Sequence, residues 1–179
     1  MTQSGSKQQH TEGAPEGNRR KVTLARTYEA SLEEIWNLWT TKAGIESWWG
    51  PEGFTTEVRK LDLRAGGELL YAMTATEAPQ IEFMKQAGMP LTTEARVTYT
   101  EVAAMQRLAY VHAVDFIPGV EAYDIETVVE FHAEGKRVRM VVHLDAMHSE
   151  EWTQRAVAGW DSQLSKVDKL FRRVVDKLA

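Results

Sequence analysis

The chain has 179 residues and a formal net charge of −5, with 43% hydrophobic and 26% charged residues. This length and composition are typical of one globular domain. The mild acidity argues against a nucleic-acid-binding protein, and the lack of cysteine excludes disulfides, thiolate metal sites and a cysteine nucleophile. No stretch approaches the roughly 20 apolar residues of a membrane-spanning helix. We therefore expect neither a nucleic-acid partner nor a membrane span.

The N-terminal segment has the composition of a disordered tail. Residues 1–19 contain no Val, Ile, Leu, Phe, Trp or Tyr, so they cannot bury enough apolar surface to offset the entropy of ordering. The segment also lacks the apolar central region of a secretory signal peptide. The sequence predicts a tail over residues 1–19, one domain over residues 20–179 and a cytoplasmic location.

A strand and two short helices are expected next. Apolar and polar residues alternate from Val22 to Tyr28, which predicts a strand. Ser31 and Glu34 have the spacing of a capping box, and an apolar stripe with helical periodicity follows them. A second short helix can begin at Thr41 and must stop before Gly50-Pro51.

Six further segments alternate in the same way, which gives seven strands in total. The alternation continues across successive turns, so we predict an antiparallel sheet with one dry and one wet face. Gly66-Gly67 and Glu134-Gly135 mark two of the turns, and the glycines allow positive φ in a tight reversal. The six segments contain Phe54, Leu69, Ala95, Leu108, Ile125 and Val138.

The last predicted element is a long helix. Ser149 can cap it, and Glu150 and Glu151 follow in the first turn, where the helix dipole favours anions. Apolar residues then recur every three or four positions from Trp152 to Leu178. The pattern predicts a helix of about 30 residues, roughly 45 Å long.

A curved sheet around this helix would leave a space between the two layers. Alternation and helical spacing point a set of aromatic and methionine side chains into that space, which is typical of a small-molecule site. The alternative is that the same side chains fill the core at native density. The set comprises Trp49, Tyr71, Met73, Tyr99, Tyr110, Met140 and Trp160.

An insertion between the third and fourth strands predicts a short amphipathic helix. Thr76 can cap it and Gly88 can end it, while Phe83 and Met84 supply apolar side chains. The helix is either a lid over the space or a helix packed permanently on the sheet edge. A second long connection, residues 115–121, is unusually apolar and could flank the same opening.

Evidence for catalysis or metal binding is weak in the sequence. His112 shares the inward parity of Tyr110, and Asp115 follows three residues later, so His112 could act as a general base. A structural histidine is the simpler interpretation, because no nucleophile accompanies it. Arg26 also points inward, either at the end of the sheet or paired with an acid such as Glu101. The histidines show no metal-ligand spacing, and we predict no metal and no cofactor.

Four segments carry a resemblance to a known family. They resemble the START-like (SRPBCC) superfamily and, more narrowly, the family named after the C-terminal domain of the activator of the ninety-kilodalton heat-shock chaperone ATPase. The likeness covers roughly Val22 to Val174. The segments are Ala30–Trp36, Trp48–Thr56, Asp62–Gly67 and Gly159–Leu164.

The resemblance implies an α+β helix-grip fold of the birch-pollen-allergen type, with a curved seven-stranded antiparallel sheet around a long C-terminal helix. Stand-alone members resemble binders of small apolar or amphipathic molecules, which is our leading hypothesis. A chaperone partner is the alternative, a cyclase- or hydrolase-like enzyme is the third possibility, and a monomer and a dimer are both open. The predicted ligand-binding residues are Trp49, Tyr71, Met73, Phe83, Met84, Tyr99, Tyr110, His112, Met140 and Trp160.

Overall fold

A computed structural model describes residues 19–117 and 119–174. The predicted tail lies outside these residues except for Arg19, so its disorder stays a prediction. The described chain contains four helices and eight strands. In chain order they are β1 (Lys21–Tyr28), α1 (Leu32–Thr40), α2 (Lys42–Trp48), β2 (Phe54–Leu61), β3 (Glu68–Ala75), α3 (Ala78–Gln86), β4 (Thr92–Ala103), β5 (Arg107–Val114), β6 (Tyr123–Glu134), β7 (Arg137–Asp145), α4 (Glu150–Leu170) and β8 (Arg173–Val174).

All eight strands form one antiparallel sheet in the order β2-β3-β4-β5-β6-β7-β1-β8. The predicted α+β architecture with two short helices after β1 is therefore confirmed. The predicted count of seven strands is wrong. Arg173 and Val174 add the eighth strand by pairing with Tyr28 and Thr27 at the end of β1.

The final helix is shorter than predicted. The predicted cap is present, since Ser149 Oγ accepts from the Trp152 N–H at 3.3 Å. The helix then runs for 21 residues, about 32 Å, and not the predicted 30. The helix ends where the backbone of Phe171 becomes extended, at φ −131°. The Phe171 ring packs edge-on against the Tyr28 ring, with 6.5 Å between the ring centroids. The spacing of three and four residues persists beyond Phe171, so periodicity alone could not reveal this stop.

The first helix confirms the predicted capping box. Ser31 Oγ accepts from the Glu34 N–H at 3.2 Å, and the Glu34 carboxylate accepts from the Ser31 N–H at 2.7 Å. These two bonds satisfy backbone donors that have no partner within the helix. The Ser31 N–H and the Ser31 hydroxyl both donate to the Glu34 carboxylate and hold the pKa of that carboxyl below its usual value. The resulting helix buries Trp36 and Trp39 on its inner side.

The insertion helix α3 forms where it was predicted, with a different N-terminus. Glu77 occupies the cap position without a side-chain bond, and Pro79 lies in the first turn. Thr76, the predicted cap, instead donates from both its backbone N–H and its hydroxyl to the Gly53 carbonyl, at 2.9 and 3.2 Å. This contact joins the start of α3 to the loop before β2. It is a long-range contact that the local sequence does not encode.

Candidate functional site

An aromatic cluster fills the inner part of the space between α4 and the sheet. We define it as Trp39 of α1, Trp48 and Trp49 at the end of α2, Tyr110 of β5 and Trp160 of α4. Trp39 lies 4.6 Å from Trp48 and stacks on Trp160 at 6.2 Å between ring centroids. Trp49 contacts both Tyr110 and Trp160, at 5.9 and 6.3 Å. This part of the interior agrees with the alternative that the aromatic side chains form a packed core.

Methionine and tyrosine side chains extend this cluster along the sheet. Met140 is 1% exposed, and its sulfur accepts from Trp39 Nε1 at 3.3 Å. Tyr99 pairs directly with Tyr110 across β4 and β5, and their rings meet edge-on at 6.3 Å. Burial raises the pKa of Tyr99 to about 12. These residues belong to the dry inner face that the alternation predicted.

A less completely buried surface adjoins the cluster. Tyr71 and Met73 of β3, His112 of β5 and Trp160 of α4 are each half-buried, and Tyr71 contacts Trp49 at 5.9 Å. Burial raises the pKa of Tyr71 and lowers the pKa of His112, although neither side chain is fully covered. Tyr71 and His112 are thus poorly hydrated yet remain partly accessible. We call the surface formed by these four residues the crevice.

The pairing between β4 and β5 ends beside His112. Pairing between β4 and β5 runs from Ala103 and Arg107 to Thr98 and Val111 and then ends. The start of β4 continues to pair with β3, while the end of β5 continues to pair with β6. The two strands therefore separate at this end of the sheet, where His112 lies on β5.

Two apolar connections flank this end of the sheet. The antiparallel order brings α3, which joins β3 to β4, and the loop that joins β5 to β6 to the same end. Phe83 of α3 is 64% exposed and Phe116 of the loop is 63% exposed, whereas Met84 is buried. Of the two predicted residues on α3, Met84 thus anchors the helix and Phe83 points outward. Met89 and Leu91, which follow α3, are also exposed.

Four polar atoms are buried in the described part of the chain without a hydrogen-bond partner: Arg26 Nε, Gln80 Oε1, Tyr110 Oη and Gln163 Nε2. Tyr110 is 2% exposed. Burial raises the pKa of its hydroxyl well above the usual value, and the neighbouring Thr127 opposes this only in part. Buried polar groups are normally paired, and Thr127 on the neighbouring strand is the polar side chain next to the Tyr110 hydroxyl. Sequence parity identified Tyr110 but gave no sign of its missing partner.

The loop before β2 is fastened to α4. Lys166 Nζ donates to the carbonyls of Gly50 and Phe54 at 3.0 and 3.1 Å, and burial lowers its pKa. The Glu52 carboxylate accepts from Lys169 at 2.6 Å and from the Ser165 hydroxyl at 3.0 Å. These bonds hold Trp49, which directly precedes Gly50, against α4. Sequence reasoning missed this network because its two halves lie more than a hundred residues apart.

The two inward polar residues of the sequence analysis have different partners from those expected. Arg26 donates to the Asp161 carboxylate of α4, and not to Glu101, which pairs with Arg107. The carboxylate that influences His112 is Asp124 on the neighbouring strand, while Asp115 is exposed. Among the described residues, no three His, Asp or Glu side chains are grouped as a metal site would require.

Burial of His112 predicts a pH-dependent stability. Its pKa is lowered because burial disfavours the imidazolium form, although Asp124 acts in the opposite direction. The unfolded chain binds this proton near the ordinary pKa of 6.5, and the folded chain binds it only at lower pH. The contribution of His112 to the free energy of unfolding is therefore most favourable above pH 6.5 and declines as the pH falls through that value.

We expect His112→Asn to reduce this loss. Urea denaturation at about pH 7.5 and about pH 5.5 gives the difference in unfolding free energy for each protein. The wild type should lose more stability between the two pH values than the variant. Equal losses would show that His112 titrates alike in the folded and unfolded chains.

Two surface grooves lie away from the crevice. One of about 470 Å³ separates the start of β1 from the first turns of α4, and one of about 740 Å³ lies at the opposite end of the sheet. The smaller is lined mainly by Val22 and Leu24 of β1 and Thr153, Val157 and Ala158 of α4. Arg20, Glu150, Gln154 and Asp161 complete its lining, and it is the site with which any binding at the crevice must be compared.

The curved sheet, the helix that crosses its inner face and the two short helices after β1 define a helix-grip protein. The family model described as "Activator of Hsp90 ATPase homolog 1-like protein" matches residues 29–172. The chain belongs to this family, as its sequence motifs indicated. Among curated proteins, no sequence matches the chain significantly.

Solved structures share the fold at low sequence identity. Protein CV1439 from Chromobacterium violaceum has a TM-score of 0.67 and 19% identity, over 84% of this chain and 95% of that one. The AHSA1 protein from Silicibacter pomeroyi has a TM-score of 0.64 and 17% identity, over 84% and 96%. The AHSA1-like protein from Aeromonas hydrophila has a TM-score of 0.58 and 22% identity, over 84% and 94%. Within the described residues, every helix is too short or too polar to cross a bilayer.

Proposed function

We propose that the protein binds a small, predominantly apolar molecule in the crevice between the sheet and α4. The observation that carries the proposal is the set of partly accessible side chains, Tyr71, Met73 and His112, that continues the buried aromatic cluster along the inner face of the sheet. A mostly apolar concave surface with few polar groups is typical of small-molecule sites.

The surroundings favour a neutral ligand. The polar groups in and beside the crevice are tyrosine hydroxyls and His112, whose lowered pKa keeps it uncharged at neutral pH. Two cations that contact α4 or lie on it already have partners, since Arg26 pairs with Asp161 and Lys166 with two backbone carbonyls. A charged ligand would lose its hydration without a matching counter-ion, which costs several kcal/mol at order of magnitude.

Native mass spectrometry with 9-fluorenone, flavone, 1-naphthol and myristic acid tests the proposal. We expect a one-to-one complex with at least one neutral probe. Ala95 pairs with Tyr71 across β3 and β4 and is half-buried on the inner face, so Ala95→Phe should fill the crevice and weaken binding at least about tenfold.

The matched control is Ala113→Phe, because Ala113 is exposed on the outer face of β5. It adds the same ring to the same sheet without entering the crevice and should leave binding intact. If no probe binds, or if Ala95→Phe and Ala113→Phe bind equally well, the crevice is not a ligand site.

A second candidate is a protein-interaction role, and the exposed apolar residues at one end of the sheet favour it. Phe83, Met89, Leu91 and Phe116 are all exposed there, and such side chains can form an interface. The family description refers to activation of the Hsp90 ATPase. The chaperone ATPase rate with and without the protein tests this role, and an unchanged rate without co-elution would eliminate it.

A further inference from the structure

We propose that the open edge of β1, together with the groove between β1 and α4, binds an extended segment of a partner protein, which adds to the sheet as a further strand. The segment runs antiparallel to β1. It carries a basic, an apolar, a second apolar and an acidic residue at every second position. This surface is separate from the crevice, and the proposal does not depend on small-molecule binding.

The first observation is that most of β1 has a strand on one side only. β8 pairs with Thr27 and Tyr28, and within the residues that the structure describes no strand lies beside Lys21–Arg26 on that side. At about 3.3 Å per residue, this stretch leaves roughly 20 Å of open edge. A row of unpaired N–H and C=O groups of this length is a template for an added strand.

Two backbone bonds show which residues of β1 face the open side. The Arg20 carbonyl accepts from the Ala146 N–H at 2.7 Å, towards β7, and the Glu29 N–H donates to the Arg172 carbonyl at 2.9 Å, towards β8. The register between β1 and β7 is unbroken, and successive residues of a strand face opposite sides. The backbone groups on the open side are therefore those of Lys21, Thr23 and Ala25.

The other edge of the sheet, β2, is protected by side chains. The Val58 N–H donates to the Glu46 carboxylate at 2.8 Å, and the Val58 carbonyl accepts from Lys42 at 3.0 Å. Side chains of α2 thus take the places of a neighbouring strand, which prevents pairing with another chain. In the described chain, the open backbone groups of β1 receive one such bond, from Arg26 to the Ala25 carbonyl at 3.3 Å. The contrast indicates that β1 is the edge available for pairing.

The groove offers an apolar surface to alternate residues of the added strand. It has a volume of about 470 Å³, and Val22 and Leu24 of β1 and Val157 and Ala158 of α4 form its middle part. Strand side chains alternate between the two faces of a sheet, so every second residue of the added strand points into the groove. The residues opposite Val22 and Leu24 are therefore expected to be aliphatic.

Opposite charges at the two ends of the groove set the direction of the added strand. At the start of β1, the Arg20 side chain is 59% exposed and pairs with Glu150. At the other end, the Asp161 side chain is 65% exposed and pairs with Arg26. A guanidinium and a carboxylate can each make several hydrogen bonds, so Arg20 and Asp161 can both accommodate a further partner. An antiparallel strand that begins with a basic residue and ends with an acidic one matches both charges.

Three capped peptides test the proposal. The matched peptide, acetyl-SKTLTVTES-amide, has the expected pattern, acetyl-SETLTVTKS-amide exchanges its two charges, and acetyl-SKTSTSTES-amide lacks its apolar residues. Amide hydrogen exchange of the isotope-labelled full chain, measured by NMR, reports directly on the edge. At a saturating concentration of the matched peptide, the amides of Lys21, Thr23 and Ala25 should exchange at least about tenfold more slowly. The amides of Val22 and Leu24, which face β7, are the internal control and should exchange slowly throughout.

Chemical-shift titration gives a dissociation constant for each peptide. We expect the matched peptide to bind about fivefold more tightly than the charge-exchanged one, with a smaller difference in about 0.5 M salt. The peptide without apolar residues should bind at least about tenfold more weakly than the matched one. Equal affinities of the matched and charge-exchanged peptides, or unchanged exchange at the three edge amides, would overturn the proposal.

A pair of variants tests the groove itself. Ala158 is exposed and lines the groove, so Ala158→Trp should block it and weaken binding of the matched peptide at least about tenfold. Arg155 is exposed on the same helix, where it lies over the ring of Trp152 and outside the groove lining. Arg155→Trp should therefore keep the affinity within about twofold. Equal weakening in the two variants would contradict binding in the groove.

Exchange measured without peptide distinguishes other occupants of the edge. Slow exchange at the three edge amides in the full chain, lost in a chain shortened after Val174, would assign the edge to the chain's own C-terminal residues. Slow exchange that appears only at high protein concentration would assign it to a second copy. Either result overturns the proposal. None of these outcomes affects the proposed function, because the crevice is a different surface.

Discussion

Trp39→Ala is expected to lower the free energy of unfolding by about 3–5 kcal/mol, the range for truncating a buried tryptophan. Trp39 is 2% exposed and contacts three other tryptophans of the aromatic cluster, as well as Phe131. Its indole N–H also bonds to the sulfur of Met140. Because α2, α4 and the sheet all pack against this one ring, little relaxation can fill the cavity. Urea denaturation followed by far-UV circular dichroism measures the loss.

Trp152→Ala is the matched control for this prediction. Trp152 is half-buried near the start of α4, where its ring contacts His148 and the exposed Phe116. The substitution removes the same side chain from a site that neighbours and water can partly refill, so the loss should be less than half as large. Equal losses in the two variants would show that the aromatic cluster is not the centre of the core.

Gly67→Ala is expected to lower the free energy of unfolding by about 3 kcal/mol, because the added Cβ would overpack against backbone atoms of the same turn. A Cβ at Gly67 would lie 2.1 Å from the Asp62 carbonyl oxygen, which cannot move aside as a flexible side chain could. Gly67 also accepts from the Tyr99 N–H at 2.9 Å, so a shift of this turn would disturb β4 next to the crevice. Urea denaturation again provides the measurement.

The neighbouring glycine supplies the control. Gly66 has φ +80° and open space where a Cβ would stand, so Gly66→Ala carries the cost of the left-handed conformation alone, about 1 kcal/mol. We expect Gly67→Ala to lower the free energy of unfolding clearly more than Gly66→Ala does. The reverse order would mean that backbone conformation, and not close approach, governs this turn.

This pair of glycines shows how far the sequence can predict local structure. The sequence correctly predicts a tight turn at Gly66-Gly67, because few other residues tolerate positive φ. Only Gly66 has positive φ, however, and Gly67 is required because the Asp62 carbonyl approaches it closely. That approach is made inside the turn by Asp62 and Arg64, and the sequence marks both glycines alike without separating a close approach from positive φ.

The same distinction applies to the inner face of the sheet. Alternation along β4, β5 and β7 correctly placed Tyr99, Tyr110 and Met140 on the face that packs against the helices, since a strand has a strict period of two. The partners of inward polar groups were not predictable. Asp161 pairs with Arg26 only because α4 crosses β1, and the sequence separation of 135 residues leaves no local signal.

The end of α4 has a similar explanation. Phe171 and Val174 continue the spacing of the helix, so the sequence predicts one longer rod. In the structure Phe171 gains a contact with Tyr28, and Val174 gains backbone bonds to β1. Tertiary pairing has therefore overridden a local helical pattern, and it explains both the shorter helix and the eighth strand.

The location of a bound ligand tests the central claim most directly. Intermolecular NOEs between 9-fluorenone and isotope-labelled protein report which side chains lie within about 5 Å of the probe, the distance of ordinary packing contact. We expect NOEs from 9-fluorenone to the side chains of Tyr71, Met73 and Trp160. NOEs confined to Val22, Leu24 and Val157 would place the molecule in the groove between β1 and α4 and would contradict it.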